Sequence, residues 1–251
     1  MQKYFEINEK GHNIRCKMYY SDLKKAEKAV IFGIGFSGHK DNNAAAVFAE
    51  KALSKRKDLM VVVFNWPGHG DDVKKKITLE DCETYLELVL NTVTTEYGIS
   101  ELYGYATSFG GYLFLKYISE HGSPFRKTAL RCPAVDMFDV ITKNIMQSDD
   151  YEKAMKGKEI KVGFERKVNV TGEFLESLKE ADLRKKDFMD YADDILIIHG
   201  TADEVVPFGD SVTFAEESLL EFIPMEGADH RFHNPQHMSL ANKYVMEFFG
   251  L

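Results

Sequence analysis

One serine stands in a sequence pattern that could make it a nucleophile. Residues 104–111 read GYATSFGG, with Ser108 between the small residues Ala106 and Gly110. A small-x-Ser-x-Gly pattern is typical of a sharp turn from a strand into a helix, which exposes the serine hydroxyl and needs small residues on both sides. The N-terminal amides of the helix would favour negative charge developing beside that hydroxyl. Ser108 is therefore the candidate nucleophile, although Ala106 stands where the usual G-x-S-x-G pattern has glycine.

A nucleophilic serine needs a general base, and the base needs a carboxylate that orients it. Residues 227–230 (GADH) follow a predicted strand and place His230 in the loop after it. Residues 199–207 (HGTADEVVP) follow another predicted strand and place Asp203 in a second loop. The chain order Ser108, Asp203, His230 is one of the orders known for serine catalytic triads. Three separate loops thus supply a candidate nucleophile, acid and base.

A glycine-containing loop, residues 33–38 (GIGFSG), could complete the site with an oxyanion hole. The candidate donors are the backbone N–H groups of Phe36 and of Phe109, the residue after the candidate nucleophile. The same loop matches G-x-G-x-x-G, but dinucleotide binding would also need an acidic residue at the end of the next strand. Residues 64–67 (FNWP) offer none, and the Gly-Lys-Ser/Thr of a phosphate-binding loop is absent. The loop therefore favours the oxyanion interpretation.

Neighbouring residues compete for these roles, one as the acid and two as the base: Glu204, His233 and His237. Together with Asp229 and His230, the two competing histidines could instead form a metal site. Their spacing matches no metal-ligand motif, and Pro235 would interrupt a helix that joined them. We expect the site to use neither a metal nor another cofactor.

The apolar pattern predicts the elements that must position these loops. Two alternating segments, residues 3–7 and 14–20, indicate an antiparallel hairpin. Short continuous apolar runs indicate strands buried on both faces, at residues 29–32, 60–64, 102–105, 128–132, 195–198 and 219–223. Amphipathic or alanine-rich segments between them predict helices, at residues 44–53, 79–96, 111–118 and 239–249. The fold class is therefore α/β, a mainly parallel, doubly wound sheet with an antiparallel N-terminal hairpin.

Residues 133–190 break this alternation because they contain no run that resembles a central strand. Of these 58 residues, 24 are charged, against 48 of the other 193. A long irregular segment inside an α/β domain is usually functional. We expect a core formed by residues 1–132 and 191–251 and an inserted lid formed by residues 133–190. An ordinary solvated helical excursion is the alternative.

Composition excludes several classes of protein. The chain has 251 residues and a net charge of −8, which disfavours nonspecific binding to nucleic acid or to anionic membranes. Its three cysteines are widely spaced, unlike a disulfide framework. The N-terminus has no apolar segment typical of a signal peptide, and no window is apolar enough to span a membrane. We expect a cytoplasmic protein with neither nucleic acid nor membrane as a partner.

With these motifs in place, the sequence resembles the serine esterases of the α/β-hydrolase superfamily. It is most similar to the bacterial cinnamoyl/feruloyl esterase-like group and also to serine aminopeptidase-type and monoglyceride-lipase-type hydrolases. Besides the serine segment, four segments carry the resemblance: residues 35–38 (GFSG), 65–70 (NWPGHG), 199–203 (HGTAD) and 227–230 (GADH). The resemblance implies an α/β-hydrolase fold, Ser108 as nucleophile, His230 as base, Asp203 as acid, and an inserted lid at residues 133–190.

We therefore expect a hydrolase that cleaves small or aromatic, cinnamoyl-type carboxylic esters through an acyl-enzyme. An apolar acyl pocket is expected from the phenylalanines, from Tyr105 and from residues of the lid such as Met137, Phe138 and Met146. The alternatives are a peptidase, a thioesterase or a monoacylglycerol lipase with the same triad, and a non-catalytic binding protein with the same fold. The partner is expected to be a small-molecule ester, and the N-terminal hairpin could permit a homodimer.

Overall fold

An eight-stranded sheet runs through the centre of the protein, whose computed structural model describes all 251 residues. The chain forms ten strands: β1 (Gln2–Glu9), β2 (His12–Tyr20), β3 (Lys28–Gly33), β4 (Leu59–Phe64), β5 (Glu101–Thr107), β6 (Lys127–Arg131), β7 (Ile160–Val162), β8 (Val168–Val170), β9 (Ile195–Gly200) and β10 (Glu221–Met225). The order across the sheet is β1-β2-β4-β3-β5-β6-β9-β10. Only the pairs β1–β2 and β2–β4 are antiparallel, so the predicted mainly parallel sheet with an N-terminal hairpin is confirmed.

Eight helices accompany the strands: α1 (Asn43–Lys55), α2 (Leu79–Thr95), α3 (Phe109–His121), α4 (Met137–Asp139), α5 (Asp150–Met155), α6 (Gly172–Glu180), α7 (Phe208–Glu217) and α8 (Pro235–Phe249). Their ends follow local chemistry. Asn42 caps α1 by accepting a hydrogen bond from the N–H of Ala45, and Thr78 caps α2 in the same way. Helix α1 packs beside α8, and α2 packs beside α3. The sheet is thus covered on both sides.

The central strands are the most buried part of the chain. All six residues of β4 and all six of β9 are buried, as expected for continuous apolar runs covered on both faces. Several elements differ from the sequence prediction. Helix α7 was not predicted, α8 begins four residues before its predicted start, and β10 begins two residues after its predicted start. Leu219 is 67% exposed with a φ of 58°, so it lies in the turn before the strand.

Residues 133–190 lie between β6 and β9 and add no strand to the central sheet. They contain α4, which continues as a π-helical turn (Val140–Ile145), followed by α5, the separate hairpin β7–β8 and α6. The turn of that hairpin contacts the loop after β3, because the N–H of Phe164 donates to the Ser37 hydroxyl at 3.3 Å. Phe174 of α6 packs edge-on against Phe109 of α3. The inserted segment therefore covers the carboxyl ends of β3 and β5.

None of the helices combines the length and the apolar composition required to cross a lipid bilayer.

Candidate active site

Ser108 lies in a sharp turn between β5 and α3. Its backbone has a φ of 52° and a ψ of −119°, a conformation that costs a non-glycine residue energy. The turn is wedged against the loop after β3. A Cβ added to Gly110 would lie 2.5 Å from the carbonyl oxygen of Gly33, and one added to Gly33 would lie 2.8 Å from the Cβ of Ala106. The small residues on both sides of Ser108 are therefore required by close backbone packing.

This strain predicts an unusual order of stability for two variants at position 108. Neither Ser108→Ala nor Ser108→Gly loses a helix cap, because the Ser108 side chain makes no capping hydrogen bond. Glycine adopts a positive φ without steric cost, whereas alanine keeps the strain. We expect the glycine variant to unfold with a free energy about 1 kcal/mol higher than the alanine variant, as measured by urea denaturation. An alanine variant as stable as the glycine variant would mean that the turn is unstrained.

His230 follows β10 and is held by a buried carboxylate. Its Nδ1 lies 2.7 Å from Oδ2 of Asp203, whose side chain is fully buried in the loop after β9. The N–H groups of Val205 and Val206 donate to the other carboxylate oxygen, each at 2.8 Å. His199 adds a further contact, with its Nε2 3.1 Å from Oδ2. The Asp203 carboxylate is thus positioned by two backbone N–H groups of its own loop and by two imidazoles.

These contacts keep Asp203 ionised. Burial alone would raise its pKa, but the hydrogen bonds from His199 and His230 outweigh burial and hold the pKa of Asp203 well below its usual range. Because an ionised carboxylate can only accept hydrogen bonds, Nδ1 of His230 must carry the proton. The Nε2 of His230 is then free to act as a proton acceptor.

Ser108 and His230 line one cavity of about 580 Å³. The loop after β3 forms part of its wall, and Gly35 lies so close that an added Cβ would be 3.3 Å from the Cβ of Ser108. The N–H of Phe36 in this loop donates no hydrogen bond within the protein. Phe109 begins α3, and the first N–H groups of a helix have no intrahelical acceptor. The N–H of Phe36 is therefore unpaired in the cavity wall, and that of Phe109 lies at the start of α3 directly after Ser108.

His69 packs against the aromatic rings of Phe36 and Phe109. Its ring is 5.5 Å from the Phe36 ring and stacks on the Phe109 ring, with centroids 6.1 Å apart. Burial lowers the pKa of His69 to about 4, so the ring is neutral near neutral pH. Its Nδ1 lies 2.9 Å from the carbonyl oxygen of Pro67. His69 thus packs against the two residues that carry the candidate oxyanion donors.

The residues that were alternative candidates for the acid and the base make other contacts. Glu204 accepts a hydrogen bond from the backbone N–H of His230 at 3.3 Å and does not reach its ring. Nδ1 of His233 lies 3.0 Å from Asp229 at the surface. His237 packs edge-on against Phe232.

The predicted acyl pocket is correct for some phenylalanines and wrong for the other side chains named. Phe36, Phe164 and Phe232 line the cavity, whereas Tyr105, Met137, Phe138 and Met146 do not. Tyr105 packs between two core phenylalanines. Met137 and Met146 are buried, and Phe138 packs against Tyr151. These apolar side chains therefore pack within the inserted segment or in the core. The residues of the inserted segment that line the cavity are Ile145 and residues 164–166.

The sequence analysis did not identify two polar residues of the cavity, Arg131 and Asn242. Arg131 ends β6, and Asn242 lies on the inner face of α8. The only local signal was a charged residue at the end of an otherwise apolar strand, residues 128–132. Asn242 carried no signal because its burial depends on how α8 packs.

Comparison with known proteins gives one family match and a set of structural matches. The sequence model of the prolyl oligopeptidase family matches residues 64–250. No match was found among curated protein sequences. Est1E from Butyrivibrio proteoclasticus with ferulic acid bound is similar in structure, with a TM-score of 0.75 at 16% sequence identity over 98% of this chain and 100% of that chain.

Two further solved structures are similar over almost their whole length. Alpha/beta hydrolase domain-containing protein 10 from mouse has a TM-score of 0.72 at 14% identity, covering 99% of this chain and 98% of that chain. The esterase domain of a Rhodothermus marinus protein has a TM-score of 0.71 at 17% identity, covering 98% and 96%. At such low identity these matches show a shared fold and nothing about the substrate.

Proposed function

The chain belongs to the prolyl oligopeptidase family and is a hydrolase with the α/β-hydrolase fold, and from this premise we propose that it hydrolyses carboxylic esters with Ser108 as nucleophile. His230 is the proposed base and Asp203 the proposed acid. One observation carries the proposal: the strained Ser108 lines the same cavity as His230, whose Nδ1 is held 2.7 Å from the buried Asp203.

The first half of the proposed reaction forms an acyl-enzyme. Nε2 of His230 takes the proton of the Ser108 hydroxyl while Oγ attacks the ester carbonyl carbon. The negative charge moves to the carbonyl oxygen, where the N–H groups of Phe36 and Phe109 stabilise it, each by roughly 3 kcal/mol. Asp203 stabilises the imidazolium that forms. The tetrahedral intermediate then collapses, the C–O bond to the alcohol breaks, and His230 returns the proton to the departing oxygen.

The second half releases the acid. Water enters the cavity, His230 removes one of its protons, and the resulting hydroxide adds to the acyl carbon on Ser108. The second tetrahedral intermediate uses the same two backbone donors. Collapse breaks the bond to Oγ, and His230 returns the proton to Ser108. The cycle balances with water as the only co-reactant, and no step requires a metal or an organic cofactor.

We propose two candidate substrate classes. The bound ferulic acid of Est1E supports small or aromatic, cinnamoyl-type esters as the first candidate. The family match supports cleavage of peptide bonds as the second candidate, because the family takes its name from an oligopeptidase. The cavity wall combines apolar side chains with charged and polar ones, which suits an ester whose acid or alcohol part carries a polar group.

A panel of substrates tests the proposal. Purified protein is assayed with 4-nitrophenyl acetate and butyrate, methyl ferulate, a monoacylglycerol and a prolyl 4-nitroanilide, and is labelled with a fluorophosphonate probe. We expect covalent labelling and hydrolysis of the esters, with kcat/KM for the anilide at least 100-fold lower. Cleavage of the anilide alone would indicate a peptidase. Absence of both labelling and hydrolysis would indicate a binding protein that retains the fold.

A further inference from the structure

We propose that Arg131 binds a carboxylate carried by the ester substrate, so that the preferred esters are anionic. This inference rests on the proposed function, because it names the substrate class of the same cavity. It goes beyond ester hydrolysis itself, which requires no charge on the substrate.

Arg131 lies beside the candidate nucleophile. It is the last residue of β6, and its carbonyl oxygen accepts a hydrogen bond from the backbone N–H of Ser108 at 3.0 Å. Its side chain lines the cavity together with Ser108 and His230. A group bound to the guanidinium would therefore belong to a molecule that occupies the site of the proposed reaction.

The guanidinium is buried without a counter-charge. Arg131 is only 5% exposed, and it forms no ion pair with any carboxylate of the protein. Its Nε has no hydrogen-bond acceptor within the protein. Nη1 contacts the thioether sulfur of Met238 at 2.9 Å, the guanidinium lies 5.1 Å from the centre of the Phe232 ring, and the hydroxyl of Tyr105 is a further, uncharged neighbour. A thioether and an aromatic face do not replace a carboxylate as the partner of a buried cation.

A second buried donor faces the same cavity. Asn242 is fully buried on α8, and its Oδ1 accepts a hydrogen bond from the hydroxyl of Tyr105 at 3.2 Å. Its Nδ2 has no acceptor within the protein, and the residue lines the cavity with Arg131. Two donors without acceptors suit a ligand rich in acceptors. A carboxylate has two acceptor oxygens, and its geometry matches the planar fork of arginine.

The charge of the cavity wall points to the same ligand. Four cationic side chains line the cavity against two carboxylates: Lys51, Arg131, Arg166 and Arg231 against Asp41 and Glu165. One of the two carboxylates, Asp41, also pairs with Lys17 and Lys40 outside this set. The protein as a whole has a net charge of −8, so the basic wall is a local feature. Arg231 and Glu165 pair with each other at 3.9 Å, which leaves Lys51, Arg131 and Arg166 as the cationic excess of the wall. An excess of one sign of charge in a cavity attracts ligands of the opposite sign.

Matched esters that differ only in charge test the proposal. One pair varies the acyl part: mono-4-nitrophenyl glutarate and its methyl ester. The other varies the alcohol part: 4-acetoxybenzoate and methyl 4-acetoxybenzoate. For the wild-type protein we expect kcat/KM to be at least about 10-fold higher for the charged member of one pair. Arg131→Met should lower that charged-to-neutral ratio by roughly 10- to 100-fold, the range expected for a lost charge-assisted hydrogen bond.

Two more variants separate the role of Arg131 from general charge and from folding. Arg131→Lys keeps the charge without the fork and should give an intermediate ratio. Arg126→Met removes an exposed cation that pairs with Glu101 outside the cavity, and it should leave the ratio unchanged. Circular dichroism and thermal unfolding show whether each variant folds, and the lysine variant remains informative if the methionine variant does not.

The outcomes distinguish this proposal from the proposed function. Wild-type ratios near one in both pairs, with the neutral esters hydrolysed, would overturn the anionic preference and leave the esterase proposal standing. A high wild-type ratio that both Arg131 variants retain would overturn the role of Arg131. Failure to hydrolyse any of the four esters would contradict the esterase proposal and this inference together.

Discussion

Replacing Ser108 by alanine should lower kcat for ester hydrolysis by roughly 10⁶-fold, the loss seen when the nucleophile of a serine triad is removed. The variant keeps the backbone N–H groups of Phe36 and Phe109 but cannot form the acyl-enzyme. Because the Ser108 side chain makes no capping hydrogen bond, the fold should not depend on the hydroxyl. The measurement is release of 4-nitrophenol from 4-nitrophenyl butyrate, together with fluorophosphonate labelling, which should disappear.

Ser119→Ala is the matched control for this variant. Ser119 lies on the same helix, α3, and its hydroxyl donates to the carbonyl oxygen of Lys116. The control removes one serine hydroxyl without touching the cavity, so its kcat should stay within about twofold of wild type. Hydrolysis by Ser108→Ala at a rate near that of the control would show that another residue is the nucleophile.

Replacing Asp203 by asparagine should lower kcat by about 10⁴-fold, as in comparable triads. The carboxylate accepts a hydrogen bond from the Nδ1–H of His230, whereas an amide can turn its NH₂ toward that nitrogen and favour the wrong tautomer. The same substitution removes the charged acceptor of His199 and of the N–H groups of Val205 and Val206. We therefore expect Asp203→Asn to be less stable than wild type as well as less active.

The loss of stability should depend on pH in a defined direction. Burial raises the pKa of Asp203, but the hydrogen bonds of the two imidazoles lower it by more. Its pKa in the folded state therefore lies below its unfolded value. Its stabilising contribution is then complete above the unfolded pKa of about 3.9, begins to decline below that pH, and is lost as the pH falls through the lower folded pKa. Urea denaturation of wild type and Asp203→Asn between pH 3 and 6 should show the two stabilities converging toward acid pH.

Glu204→Gln is the control that assigns the acid. Its carboxylate contacts only the backbone N–H of His230, so we expect kcat within about threefold of wild type. Equal losses in Asp203→Asn and Glu204→Gln would leave neither residue as the distinct orienting acid. Full activity of Asp203→Asn would contradict the proposed triad.

The sequence predicted the central strands to within about two residues, and the reason is physical. Strands buried on both faces need continuous apolar residues, and β4 and β9 satisfy that need locally. The comparisons confirm the predicted α/β-hydrolase fold. Helix α7 and the start of β10 were less well predicted. The turn at Leu219 has an exposed leucine with a positive φ, which the apolar run 219–223 does not reveal.

The candidate triad was also accessible from the sequence, because its members follow parallel strands. The carboxyl ends of parallel strands lie at one edge of the sheet, so loops after β5, β9 and β10 must lie close together. Local patterns could therefore nominate Ser108, Asp203 and His230 without a structure. They could not show that His199 would lie 3.1 Å from the Asp203 carboxylate. That contact depends on how the loop after β9 folds back.

The sequence by itself determined the order of the central strands along the chain and the candidate residues in the loops after them, because both depend on short-range pattern. Only the tertiary structure decided which residues line the cavity. Met137, Phe138 and Met146 were expected to line it, yet packing of the inserted segment places them elsewhere. Arg131 was one charge among 72 in the sequence. Residues distant in the chain decide whether a charged side chain is buried and whether it is paired. The tertiary structure places the Arg131 guanidinium in the same cavity as Ser108 and provides no carboxylate to pair with it.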